Sequence, residues 1–238
     1  MWSYTIQVTL RAEDELKWEY VDAPTPAEIG TNMIQNPANA DLYRSDISDS
    51  IVLMGWYEAP TGSQVLDVFD LKYGRLFSVL TYRDPTMGSF GAFSAGANPI
   101  TELTMPKHAD DFVAVDFTPT AMAGRAFRYS VGAYTIEMTW LTEMSVKWEY
   151  IAAPAGEVGK SATQDVANNG LYRCGFDVSP DVIIVGWSEA GLGGAQLVDV
   201  FDLVNNKLYT NFAMVHANAD GVVGDGSFFH GIQNIVEV

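Results

Sequence analysis

Arginine occurs twice in the same setting, as Arg44 and as Arg173, each closing an "LYR" triplet. In a chain with 13 basic residues against 30 acidic ones, a repeated arginine is informative. Inside a cavity its fixed fork of donors would clamp a carboxylate or an enolate. On the surface it would pair with one of the many acids. Glutamate repeats too, as Glu19 and Glu149 in two "KWEY" stretches. Turned inward, either is a candidate general base with a raised pKa; turned outward, each pairs with the lysine beside it. His230, in "GSFFHGI", and His216, just after "NFAMV", stand where an imidazole can move a proton near neutral pH or serve as a hydrogen-bonded structural group. Asp67 and Asp199 alternate with apolar neighbours in two "DVFDL" stretches. Pointed inward they need partners, and one could orient a tyrosine or an arginine.

Aromatic residues accompany these groups. In the second "KWEY", Trp148 and Tyr150 share one strand face and Lys147 and Glu149 the other. Trp56 and Trp187 follow a glycine in "MGW" and "VGW", and Tyr172 lies in the second "LYR". Each either stacks on a ligand or fills a core. No metal site is expected, because no H-x-H or C-x-x-C spacing supplies a third ligand. "GLGG" and "GSFGAFSAG" lack the lysine and strand–helix context of a phosphate loop and read as hairpin loops or cavity-mouth flaps. There is no G-x-S-x-G nucleophile, and no cofactor is implied. His108 falls in a connecting stretch. The lone Cys174 cannot form an internal disulfide and reads as a small buried hydrophobe.

These pairs arise because the chain is written twice. "YTIQVTLRAEDELKWEYVDAP" from Tyr4 answers "YTIEMTWLTEMSVKWEYIAAP" from Tyr134. "AEIG", "LYR", "SIVLMGW" and "LDVFDLKYGRLF" follow in order and meet "GEVG", "LYR", "DVIIVGW" and "VDVFDLVNNKLY", at offsets that drift only between 129 and 132. This is an internal duplication. Its boundaries are a first repeat at 1–103, a connecting segment at 104–123 that is expected to pack, and a second repeat at 124–238. Residues 104–112 could form a short helix or coil. The segments are short and rich in Val, Ile, Thr and aromatics, with Gly, Pro, Asn and Asp between them, which predicts antiparallel hairpins. "KYGRLF", "VNNKLY" and "VGAY" read as tight turns. "GRAFRYS" adds a strand before the second copy that the first copy lacks. Such strands can close into a small barrel, which removes exposed edges, or pack as a β-sandwich.

The formal net charge of −17 disfavours nucleic acid and anionic membrane as partners. No stretch of 18 apolar residues predicts a membrane span, and the opening residues do not form a secretory signal, so a cytoplasmic location is expected. The expected partner is a small-molecule ligand, with a homodimer left open.

"GRAFRYSVGAYTIEMTW" together with "GWYEAPTGSQVLDVFDLKYGRLFSVL" and its second version resembles a lipocalin-like (calycin) group that includes phenolic acid decarboxylases and MoaF-like proteins. The resemblance covers about three quarters of the chain. It implies an all-β fold of tandem lipocalin-like (calycin) small antiparallel β-barrels, each with an internal ligand cavity. In the decarboxylases two first-strand tyrosines hold a substrate carboxylate, helped by an arginine and a glutamate. Tyr129 falls at the second tyrosine position and Phe127 at the first. Lys160 lies near the arginine position and Arg173 near the glutamate. The broken tyrosine pair and the missing acid argue against a working phenolic acid decarboxylase.

The resulting expectation is a cofactor-independent lyase or isomerase acting by proton transfer on a small aromatic or carboxylated metabolite. Tyr129 or Arg173 would hold an oxyanion, and His230 or Glu149 would move the proton. Trp148, Tyr150, Lys160, Tyr172, Trp187, His216, Arg44 and Trp56 are the candidate ligand contacts. The alternative is a non-catalytic binding protein of the same fold. The second copy, with the richer inventory, is expected to carry the site.

Overall fold

Both copies fold as a run of hairpins in the same order. The computed structural model describes residues 4–40, 42–58, 63–84, 89–99, 118, 120–169, 172–173, 178–189, 195–217 and 223–238. The first copy holds β1 (Thr5–Ala12), β2 (Glu15–Asp22), β3 (Asn32–Gln35), the one-turn α1 (Pro37–Ala40), β4 (Tyr43–Ser48), β5 (Ile51–Glu58), β6 (Ser63–Asp70), β7 (Arg75–Asp84) and β8 (Ser89–Pro99). The second holds β9 (Ala126–Val131), β10 (Tyr134–Thr142), β11 (Ser145–Ala152), β12 (Ser161–Asp165), α2 (Val166–Asn169), β13 (Tyr172–Arg173), β14 (Val182–Glu189), β15 (Ala195–Asp202), β16 (Lys207–Ala217), β17 (Val223–Asn234) and β18 (Val236–Glu237). The protein is all-β, and the sheets are antiparallel. Among the described residues no helix is long and apolar enough to cross a membrane.

The expected turns are present. Gly132 takes φ 56° between β9 and β10, and Gly74 takes φ 61° in "KYGR". The matching turn of the second copy places Asn206 at φ 53°, a position that asparagine tolerates better than most side chains.

Each copy contributes an outer and an inner sheet. The outer sheets run β1-β2-β3 and β12-β11-β10-β9-β18; the inner ones run β4-β5-β6-β7-β8 and β13-β14-β15-β16-β17. The two inner sheets pack on each other at the centre of the molecule. Ile51, Leu53, Leu66, Val68 and Phe77 of the first meet Val182, Ile184, Val198, Val200 and Tyr209 of the second, residues that correspond one to one in the duplication. The opposite face of each inner sheet packs on its own outer sheet. Val52, Met54 and Trp56 meet Leu16 and Trp18, while Ile183, Val185 and Trp187 meet Met138, Trp140 and Val146. Four layers therefore stack in the order outer, inner, inner, outer. This is why "SIVLMGW" and "DVIIVGW" are unbroken apolar runs: β5 and β14 are buried on both faces, so neither face can be polar.

Polar ties cross the central interface in both directions. Arg75 is buried against Asp70 (Nε···Oδ2 2.9 Å) and donates to the Val178 carbonyl of the other copy at 2.7 Å. In the symmetry-related place Asn205 donates to the Ile47 carbonyl at 3.3 Å and to Asp202 at 2.7 Å.

The expected closed barrels are corrected: among the described residues neither copy closes. In the second copy β17 runs through buried Ile235 straight into β18, which pairs with β9 and so joins the inner to the outer sheet along one edge. Arg125 fixes that corner with two bonds to Glu237, at 2.7 and 2.8 Å. At the other edge the chain crosses from β12 to β13 through α2, and among the described residues these two strands do not pair, which leaves a seam. A second correction concerns "GSFGAFSAG", read above as a loop. Ser89–Pro99 forms β8, whose ladder to β7 supplies the hydrogen bonds that small side chains do not oppose. Of the connecting segment, Met122 is fully buried beneath the second outer sheet. Residues 104–112, with His108, and Cys174 lie outside the described residues.

Candidate functional site

The repeated "KWEY" resolves into two faces. Trp148 pairs in register with fully buried Met138, and Tyr150 with Ile136, so both rings point between the outer and inner sheets of the second copy. Lys147 and Glu149 point away and pair with each other at 2.6 Å. The same division holds in the first copy, where Lys17 bonds Glu19.

Between the two sheets of the second copy lies a cavity of ≈ 210 Å³. β9 lines it with Tyr129 and Val131, β10 with Tyr134, Ile136 and Met138, and β11 with Trp148 and Tyr150. The inner sheet supplies Trp187, Leu197, Thr210 and Phe212. Tyr134, Tyr150 and Trp148 form a chain of tilted rings, with centroids 4.9 and 5.0 Å apart. They are half-buried and form the mouth, whereas Tyr129 and Trp187 are buried deeper. No charged side chain lines the cavity among the described residues.

One carboxyl lies beside it. Asp199 shares the face of β15 that carries Leu197 and Phe201, and it stands opposite Thr210 in register. Its side chain is 0% exposed, and neither oxygen has a hydrogen bond of ordinary geometry. The Thr210 hydroxyl, 7% exposed and on the cavity wall, is likewise without a partner at bonding geometry. Burial pushes the Asp199 carboxyl up to about 7, and the nearby Thr210 hydroxyl offsets only part of that rise.

The first copy repeats these walls with Tyr4, Ile6, Trp18, Tyr20, Trp56 and Val65, but with two differences. Its equivalent acid, Asp67, is bonded by the Ser78 hydroxyl. Its β1 has no strand on the outer edge among the described residues, so Tyr4 and Ile6 are 41% and 52% exposed. Trp56 packs there with Trp18, Val8 and Val65 as part of an apolar cluster.

The structure brings together Tyr129, Trp148, Tyr150 and Trp187 and separates them from the expected proton movers. Glu149 is corrected as a cavity base, since strand alternation turns it outward onto Lys147. Lys160 is also outside: it is exposed and bonds Glu157 at 2.8 Å. His230 belongs to the opposite face of the second inner sheet. It pairs in register with Asn211 and stacks on Tyr43 of the first copy, with centroids 4.1 Å apart and planes at 6°. Tyr43 in turn donates to the Asn211 amide oxygen, and its burial pushes the phenol pKa up. His230 and Tyr129 are thus on opposite sides of one sheet. Arg44 bonds Asp46 at 2.9 Å in a polar hollow of ≈ 390 Å³ shared with Glu13 and Asp14. Arg173 pairs in register with Val185 and Tyr172 with Gly186. Their side chains, and that of His216, lie outside the described residues. Among the described residues no group of three or more His, Cys, Asp or Glu is placed to hold a metal.

Sequence reasoning singled out Asp199 for its alternation but not Thr210. The missing signal was the facing strand: "KLYTNF" places a hydroxyl opposite the "DVFDL" acid, as "RLFSVL" does in the first copy.

No protein-family model matches the chain, and no curated protein matches it. A solved structure described as a "putative beta-lactamase" from Burkholderia vietnamiensis is similar over 51% of this chain and 100% of its own, at 15% sequence identity and a TM-score of 0.37. A likeness of that size carries no argument about fold or activity.

Proposed function

We propose that this chain is a small-molecule binding protein whose ligand, a single flat ring or two small fused ones, occupies the cavity of the second copy. The observation that carries the reading is the aromatic-walled space of ≈ 210 Å³ between the two sheets. An apolar cavity of about 150 Å³ is enough to hold benzene. Trp and Tyr faces on several sides suit a flat ring, which stacks on them with little loss of conformational freedom.

We read the second copy as a lipocalin-like barrel flattened and unzipped along one seam, and the first as its counterpart open at both edges among the described residues. The strand order supports this. In the second copy every strand from β9 to β17 neighbours the next except β12 and β13, and β18 returns to β9. That is the cyclic order of an up-and-down barrel with one pair unlinked. The MoaF-like resemblance agrees with a ligand cavity in that position.

Turnover is a second reading, favoured by one observation. The Asp199 carboxyl is fully buried beside the cavity without a bond of ordinary geometry, and that burial, which pushes it up to about 7, suits proton transfer at neutral pH. A lyase or isomerase built here would use Asp199 as its base, with Thr210 or Tyr129 positioning the substrate, in place of Glu149 and His230.

Native mass spectrometry of the whole chain with a panel of one-ring compounds tests the binding reading. It calls for one-to-one complexes that disappear in Leu197→Phe, which fills the space. Binding that is unchanged in that variant, or absent throughout, overturns it. Ligand recovered chemically unchanged after incubation supports binding over turnover.

A further inference from the structure

The polar end of the cavity says which rings it takes, given that the cavity binds a ring at all. Thr210 and Asp199 stand side by side on the inner sheet, opposite each other in register. Both are more than nine-tenths buried, and both leave oxygens without partners. The equivalent acid in the first copy already has its hydroxyl bond, from Ser78 to Asp67. Among the described residues, the buried carboxyl oxygens without a bond of ordinary geometry are those of Asp199, in the second copy and beside its cavity.

We propose that Thr210 and Asp199 select a ligand that carries a protonated nitrogen on a flat ring. A carboxylate offers acceptors and no donor, so a partner must bring N–H or O–H groups. An ionised carboxylate buried alone is costly, and a cation beside it removes most of that cost. Thr210 lies between the space and the acid. Its hydroxyl donates toward Asp199 while its lone pairs accept from the ligand, so the bond is relayed. The rings of Trp148, Tyr150 and Trp187 present negative faces that also attract a cation. The net charge of −17 raises the local concentration of small cations around the whole molecule.

Three near-isosteric probes separate the terms: benzamidinium, benzamide and benzoate. Each is titrated against the full chain by calorimetry. Benzamidinium binds about 10-fold or more tightly than benzamide, the difference expected when a hydrogen bond gains a full charge, and benzoate binds weakest of the three. In Asp199→Asn the benzamidinium advantage falls to within about threefold, while benzamide binding persists. Thr210→Val reduces the same advantage and guards against misfolding of the first variant. Equal binding of benzamide and benzamidinium, or tightest binding of benzoate, overturns the charge preference and leaves the cavity reading standing. Full selectivity retained in both variants assigns the charge elsewhere and overturns it too. Binding of none of the three overturns the cavity reading, and this inference with it.

Discussion

Replacing Asp199 with asparagine should stabilise the ligand-free protein, by an amount that grows with pH. The carboxyl rises from 3.8 to about 7 on folding, because it is fully buried and only weakly supported by Thr210. The folded state therefore holds the proton more tightly than the unfolded chain does. Below pH 3.8 both states are protonated and the group costs nothing. Between 3.8 and 7 the unfolded chain ionises first, so stability falls as pH rises; above 7 the loss is complete. The linkage relation gives about 4 kcal/mol at pH 8 and somewhat under 2 kcal/mol at pH 5. Asparagine has a similar shape and does not titrate. The gap in unfolding free energy between Asp199→Asn and the wild type should thus widen by roughly 2–3 kcal/mol from pH 5 to pH 8. Urea unfolding followed by tryptophan fluorescence at both pH values measures it, and other titrating groups cancel in the comparison. Any fixed cost of the amide shifts both gaps equally. A gap that stays constant means that the carboxyl ionises normally in the folded protein, which refutes a dry, unpartnered acid beside the cavity.

Other perturbations test the packing that positions the site. Tyr43→Phe removes the bond to Asn211 and leaves a buried amide without its donor, which should cost about 1–3 kcal/mol in chemical denaturation. Gly55→Ala would press a methyl carbon into the Tyr43 ring, so it should lower stability by about 1–3 kcal/mol, and the same change made in a Tyr43→Ala background should cost much less. Arg75→Met strands buried Asp70 and the Val178 carbonyl, and should destabilise by about 3–5 kcal/mol, read as a lower urea midpoint.

The duplication made most of the architecture legible. Matching segments predicted two equivalent sets of hairpins, and the turns at Gly74, Gly132 and Asn206 followed from local chemistry. The apolar runs in "SIVLMGW" and "DVIIVGW" were read only as matching segments; the central position of the inner sheets, which buries β5 and β14 on both faces, explains them. Barrel closure was not legible, because whether β12 pairs with β13 across the short α2 is decided by how the two sheets pack and not by a pattern within either strand. The site divides the same way. Alternation in "KWEY" put Trp148 and Tyr150 on one face, and the structure turns that face inward. The position of His230 was not legible, because alternation along β17 says which residues share a face but not what that face meets; the structure sets His230 against Tyr43. The glycine of "MGW" clears the Tyr43 ring, a close approach that no pattern within the strand announces.

Which copy takes a ligand can be read from the indole rings of the two walls. The chain has six tryptophans, and two equivalent pairs sit in matching walls: Trp148 and Trp187 in the second copy, Trp18 and Trp56 in the first. Titration of 15N-labelled protein with benzamidinium, benzamide and benzoate, watched at the indole N–H signals, separates them. Saturable shifts at Trp148 and Trp187 with Trp18 and Trp56 unmoved are the expected outcome for at least one of the three. Shifts confined to Trp18 and Trp56, or six signals that stay still with every probe, would contradict it.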